Sequence, residues 1–305
     1  MLERRLSEIM FEKTVISFEL YPPKTDEGMA NLPETLEHLY RFRPEYISCT
    51  YGAGGSNVGK NLEVCKMINE ADNDTVPVTH FTCIGQTRET VKAQLQNYLD
   101  NGISHMLALR GDLPYGWTGT NGDFSYATDL VAYIRKEFGE KFEIAVSGSP
   151  EGHIACRSLE ADIAHLKQKQ DEGADYIMTQ LTYDMEQFKY WLDAVRTAGV
   201  TMPVDVGVMP VLNKNAVINM CLSRNGCAIP RKLAEVISRH WFDKDPEGNE
   251  LPAVKEAFRE EGIEYTVDQI HEYMALGVEG IHLYALNKWE DVTEILLKTG
   301  IRTIV

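Results

Sequence analysis

Long apolar runs are missing from this sequence. Nothing in it approaches the roughly 18 consecutive apolar residues needed to cross a bilayer, so no membrane segment is expected. Positive charge is scarce too. With 30 Lys and Arg against 46 Asp and Glu, the formal net charge is −16, which argues against nucleic acid and anionic membranes as partners. An anionic cofactor stays compatible, because a local cation or a helix N-terminus binds phosphate within an acidic protein. The six cysteines (Cys49, Cys65, Cys83, Cys156, Cys221 and Cys227) lack paired metal-ligand spacing, and the nearest pair, Cys221 and Cys227, is a weak signal. They read as reduced cytosolic thiols, several of them buried, and no metal site is expected. The segment Met1 to Glu8 mixes charges with no apolar core behind it, so a secretory signal is not expected and a cytoplasmic location is.

What is present is an ordinary globular balance, 44% hydrophobic and 25% charged, with apolar strand-like runs separated by helical segments. Val15–Tyr21, Tyr46–Tyr51, Val76–Ile84, Met106–Leu109, Ile144–Gly148, Tyr176–Leu181, Val204–Met209 and Gly280–Leu286 read as strands. Their starts fall about 30 residues apart until the longer last gap. Between them, Thr87–Asp100, Ser158–Asp171 and Met185–Ala198 carry apolar residues at helical spacing and stop at Gly102, Gly173 and Gly199. The pattern predicts an α/β fold, a single (β/α)8 TIM barrel formed by one domain over residues 1–305. An open doubly wound sheet is the alternative, disfavoured by eight similar units without a dinucleotide fingerprint. The long connection Val211–Glu279 is expected to hold helices over Asn213–Arg224, Arg231–Trp241 and Tyr265–Leu276 before the last strand.

In a barrel the carboxyl ends of the strands converge on one face, and those ends collect ionisable and amide side chains: Glu19, Thr50, His80 with Thr82, Arg110 with Asp112, Glu151 with His153, Gln180, and Asn287 with Lys288. Glu19 lies inside an apolar strand. A carboxyl removed from water has a raised pKa and acts as a general acid near neutral pH; the structural alternative is a Glu salt-bridged within the barrel. His80 reads equally as a hydrogen-bonded core histidine or a ligand contact. Gln180 suits paired hydrogen bonds to a heterocycle, or a structural amide. His153, Arg157 and Ser158 stand where a helix begins, with Lys169 further along it, which fits either a diphosphate site or an ordinary capped helix. Arg110 and Asp112, at the end of the buried run Met106–Leu109, mark either a ligand site or a surface ion pair.

The motifs Phe18-Glu19-Leu20-Tyr21-Pro22-Pro23-Lys24, Ser48-Cys49-Thr50-Tyr51-Gly52-Ala53, His80-Phe81-Thr82-Cys83-Ile84, Leu109-Arg110-Gly111-Asp112-Leu113-Pro114, Pro150-Glu151-Gly152-His153 and His282-Leu283-Tyr284-Ala285-Leu286-Asn287 cover nearly the whole chain. In order and spacing they resemble methylenetetrahydrofolate reductases. The resemblance implies noncovalent FAD and reduction of 5,10-methylenetetrahydrofolate to 5-methyltetrahydrofolate. It implies Glu19 as general acid, Asp112 beside flavin and pterin, and Gln180 and Lys288 as further substrate contacts. Thr50, Tyr51, Ala53, His80, Arg110, Gly111, Asp112, Tyr126, Ala127, His153, Asp162 and Lys169 are the implied cofactor contacts.

Three departures bear on the electron donor. Ser149 stands where familiar bacterial members carry Tyr, Lys288 replaces an Arg, and the loop Pro210–Asn215 lacks a Phe found in NADH-using members. The chain is therefore also similar to the acetogen type, in which electrons arrive through a partner subunit, so NAD(P)H and a partner electron-transfer subunit are both implied donors. A homo-oligomer or a hetero-complex is expected. A non-redox barrel that binds a pterin and transfers a methyl or one-carbon group is the alternative function.

Overall fold

Eight strands close into a ring: β1 (Val15–Leu20), β2 (Tyr46–Cys49), β3 (Val76–Thr82), β4 (His105–Leu109), β5 (Glu143–Gly148), β6 (Tyr176–Thr179), β7 (Val204–Val208) and β8 (Gly280–Tyr284). Each pairs in parallel with its sequence neighbours, and β8 returns to β1, so the (β/α)8 barrel is closed. The structure, a computed structural model, describes residues 4–51, 58–71, 73–223, 225–241, 245, 247 and 249–304. Among the described residues no helix is long and apolar enough to cross a membrane.

Alternation along the strands divides the protein into two cores. Phe18, Leu20, Ile47, Phe81, Met106, Val146, Ile177 and Val206 point outward into the large apolar layer beneath the helices. The residues between them point inward. Val15, Tyr46, Val78, Leu107, Ala145, Tyr176 and Met178 fill the lower interior, and helix α1 (Leu6–Glu12) closes it from below with Leu6 and Met10. Glu143, at the start of β5, fixes that plug: its carboxylate accepts from the first-turn amides of Leu6 (2.6 Å) and Ser7 (2.9 Å), where a helix N-terminus favours negative charge.

Helices α2 (Asp26–Tyr40), α3 (Val58–Asn69) and α5 (Ala127–Phe138) follow β1, β2 and β4, and several of the flanking helices begin on side-chain caps. Thr87 caps α4 (Arg88–Asp100), Ser158 caps α6 (Leu159–Asp171), Asp184 caps α7 (Met185–Thr197), and Asn213 caps α8 (Lys214–Cys221), each accepting an amide in the first turn. The long seventh connection holds α8, α9 (Arg231–Arg239) and α10 (Pro252–Ala275), so the third helix expected there is longer than Tyr265–Leu276 and starts with Pro252 in its first turn. Gly262 lies inside it for a packing reason. A Cβ there would fall 1.7 Å from the Val211 carbonyl, so only glycine lets α10 touch the loop after β7. Thr266, one turn on, accepts the Val211 amide at 3.0 Å and locks that contact. After β8, Leu286 and Asn287 adopt left-handed conformations before α11 (Trp289–Thr299). The Asn287 amide then clasps the Tyr21 backbone, donating to its carbonyl at 2.9 Å and accepting its N–H at 3.1 Å.

Candidate active site

A cavity of about 1200 Å³ opens at the carboxyl ends of the strands. Its wall contains Thr50, Tyr51, His80, Arg110, Gly111, Asp112, Tyr126, Ala127, His153, Asp162, Lys169 and Gln180, which the sequence scatters over 130 positions and the barrel gathers at one mouth. Ala53 lies outside the described residues. Lys288 is not in the cavity wall; it precedes α11, and its amide donates to the Ala285 carbonyl.

Glu19 sits one layer below the mouth, behind His80. Its Oε2 is 3.4 Å from His80 Nε2 and 3.6 Å from His282 Nε2. Its surroundings correct the expectation of a raised pKa. Burial does push the carboxyl up, but the pairing with His282 and the charges of His80 and His282 outweigh it and hold Glu19 below the usual carboxylate range. Burial moves His80 the other way, lowering its pKa, while the Glu19 charge opposes that shift. Thr82 Oγ1 is buried without a hydrogen-bond partner, and His80 Nε2 makes no hydrogen bond and meets only the longer approach of Glu19, although both residues line the cavity. Unpartnered polar atoms of this kind are rare unless a ligand completes them.

Asp112 and Gln180 reach opposite sides of one residue that sequence reasoning missed. Asn225, in the loop after α8, donates its amide to both Asp112 carboxylate oxygens, at 3.2 and 3.3 Å, while Gln180 donates to the Asn225 carbonyl at 3.4 Å. Glu151 fastens the same loop, accepting from the Ala228 amide at 2.7 Å and from the Thr182 hydroxyl at 2.6 Å. Nothing in the pattern of the Val211–Glu279 connection singles out Asn225, because its contact with Asp112 spans more than a hundred residues.

The other side of the cavity is cationic. Lys169 reaches in from α6 and donates to the Ser147 carbonyl at 2.9 Å; burial lowers its pKa while Asp162 acts in the opposite sense. The His153 amide donates to Asp162 at 3.2 Å, and its Nδ1 accepts from the Ala155 amide, leaving Nε2 free of that turn. With Arg110 nearby and the Ser158-capped start of α6, this wall has the chemistry of an anion site. Cys156, Asp162 and His165 also gather here, with ligand atoms within 4.8 Å of one another, a grouping the spacing did not suggest. Three ligands at an exposed edge fall short of the four that close a structural zinc site.

Comparison with known proteins gives the family. The family model described as methylenetetrahydrofolate reductase matches residues 4–300. Methylenetetrahydrofolate reductase 1 of Schizosaccharomyces pombe is 34% identical over 296 residues, covering 95% of this chain and 46% of the yeast protein. The 5,10-methylenetetrahydrofolate reductase of Salmonella typhimurium is 32% identical over 302 residues, covering 99% of this chain and 95% of the bacterial one. The chain thus spans about half the length of the yeast and plant relatives and nearly all of the bacterial ones. Among solved structures, an uncharacterized protein from Clostridium thermocellum that binds two copies of 5-methyl-5,6,7,8-tetrahydrofolic acid aligns with a TM-score of 0.61 at 14% identity, covering 97% of this chain and 99% of that one. That likeness is one of fold. The match along almost the whole barrel carries the assignment: the chain belongs to the methylenetetrahydrofolate reductase family.

Proposed function

We propose that this chain reduces 5,10-methylenetetrahydrofolate to 5-methyltetrahydrofolate, with FAD held noncovalently in the cavity. The observation that carries the reading is the convergence of Asp112 and Gln180 on one mouth beside a cationic wall, with Glu19 one layer below, against His80. The site fits a flavin in size and in donor set. Its volume of about 1200 Å³ leaves room for a nucleotide and a pterin together, and the unpartnered Thr82 Oγ1 is available to a ring heteroatom. Arg110, Lys169 and the start of α6 would hold the diphosphate. Bound FAD would supply the hydride.

The chain's own residues supply the remaining chemistry. Gln180 orients the pterin through its amide. Asp112, exposed at the rim and negatively charged, stabilises the cationic iminium that forms when the folate's five-membered ring opens. Glu19 delivers the proton that accompanies ring opening. The electron donor is NAD(P)H or a partner subunit. Anaerobic reduction of the yellow protein by NADH, NADPH and reduced ferredoxin in turn decides among them.

Glu19→Gln tests the assignment. The variant should reduce its flavin at the parent rate but lose about a hundredfold or more in reoxidation by methylenetetrahydrofolate. Equal losses in both half-reactions would remove Glu19 from the acid role. A colourless protein that binds methyltetrahydrofolate would favour a methyl-transfer barrel instead.

A further inference from the structure

Beneath Glu19 the barrel interior holds an acid that none of the roles above uses. Asp205, on β7, is fully buried. Its Oδ2 accepts from Tyr46 (2.7 Å) and from Ser17 (3.1 Å), while its Oδ1 has no hydrogen-bond partner among the described residues. The space it occupies is made by Gly280, where a Cβ would lie 2.6 Å from the carboxyl. Ser17 is the link upward. Its hydroxyl is 2.7 Å from His282 Nδ1, and His282 Nε2 faces Glu19 at 3.6 Å. Strand register keeps this order, because Ser17 on β1 pairs with both Tyr46 on β2 and His282 on β8.

Proton balance along this column fixes its direction. An ionised Asp205 only accepts, so Ser17 donates its single proton to Asp205 and must accept from His282. His282 Nδ1 therefore carries a proton, and Nε2 is the nitrogen left to exchange one with Glu19. Ser48 Oγ, 3.2 Å from Nε2, suits either state, donating to the bare nitrogen or accepting from the protonated one.

We propose that Asp205 and Ser17 are positioning residues that fix the Nδ1–H tautomer of His282, so that Nε2 and Glu19 share the proton delivered to the substrate. This rests on Glu19 being the acid. It resolves the conflict between that role and a carboxyl held low: the proton resides on His282 Nε2 and passes through Glu19 to the folate nitrogen. After transfer the pair is a Glu19 carboxylate beside a neutral His282, and water at the open mouth restores the proton. Asp205 acts through Ser17, whose hydroxyl bridges the Asp205 carboxylate and His282 Nδ1. Asp205 also faces Tyr46, Tyr176 and, at longer range, Glu45, and burial raises its own pKa to about 6. Above about pH 6 it is therefore charged and the device is set.

The test uses the full chain with bound flavin. Asp205→Asn and Ser17→Ala should each move the alkaline fall of the folate half-reaction about one pH unit lower, making it about tenfold slower on that side, with recovery at lower pH and no change in the flavin-reduction profile. The double variant should be no slower than the slower single one. Nitrogen-15 spectra, assigned by the signal lost in His282→Asn, should give a protonated Nδ1 in the parent and a loss of that fixed tautomer in Ser17→Ala. Asp205→Asn should melt no lower than the parent above pH 6, because burial raises the Asp205 pKa and its ionisation there costs stability. An unmoved pH profile in both variants, or a neutral His282 protonated at Nε2, overturns the proposal. Glu19→Gln separates it from the function: if Glu19 is not the acid, that variant keeps its folate half-reaction while the His282 spectrum still responds to Ser17→Ala.

Discussion

The side-chain amide of Asn225 donates to both carboxylate oxygens of Asp112, 3.2 and 3.3 Å away. The loop after α8 thereby becomes part of the wall that Asp112 forms, and Gln180 holds the same residue by its carbonyl.

Asn225→Ala should weaken folate binding about fivefold, or ~1 kcal/mol, because an exposed hydrogen bond to a charged group is worth less than a buried one. Flavin content should not change, since the hydrogen bonds of Asn225 run to Asp112 and from Gln180, and not to Arg110 or Lys169. Titration of the oxidised protein with methyltetrahydrofolate, beside its visible spectrum, measures both.

Cys221 and Cys227 flank that loop, their sulfurs 3.8 Å apart. The hydrogen bond from Cys227 holds the Cys221 thiol below its ordinary pKa, so Cys221 is the readier nucleophile. A mild disulfide oxidant should join the two, releasing two equivalents of the reduced reagent, and dithiothreitol should reverse it. Peptide mapping should recover Cys49, Cys65 and Cys83, all buried, as free thiols.

Acid should unfold the protein from the barrel floor. Glu45 is buried among Lys13, Arg302 and the Ile16 amide, and Glu143 beneath His105 and α1. Burial opposes both charges, but these partners hold both carboxyls below the ordinary glutamate value of about 4.5. A depressed folded pKa contributes stability above the unfolded value, and that stability is lost as pH falls from about 4.5 through the lower folded pKa. Glu45→Ala should cost about 2 kcal/mol at pH 7, because it removes the buried hydrogen bond from the Ile16 amide and the partner of the partly buried Arg302, and should flatten the acid limb. Urea unfolding at pH 7 and at pH 4 gives both values.

The positions of the eight strands were legible because each is an apolar run bounded by glycine or proline, and both cores follow from their period-two alternation. Part of the cavity wall was legible too, namely Thr50, His80, Thr82, Arg110, Asp112, Glu151, His153 and Gln180, since polar side chains gathered at the carboxyl ends of barrel strands add little to packing and face the mouth; Tyr126, Ala127 and Asp162 came only from the family resemblance. Glu19 was located in this way, but its ionisation was not. Burial alone points upward, and the histidines that reverse the sign lie on β3 and β8, 61 and 263 positions away. The start of α10 was hidden by Gly262, whose reason is the distant Val211 carbonyl.

The sequence by itself determined the period, the strand ends and the family, because those depend on neighbours within a few residues or on motifs in order. Only the closed barrel decided that Asp205, Ser17 and His282 form one column beneath Glu19, and that Asn225 meets Asp112. Hydrogen bonds and pKa values depend on which atoms lie within a few ångströms, and β7, β1 and β8 come together only when the ring shuts.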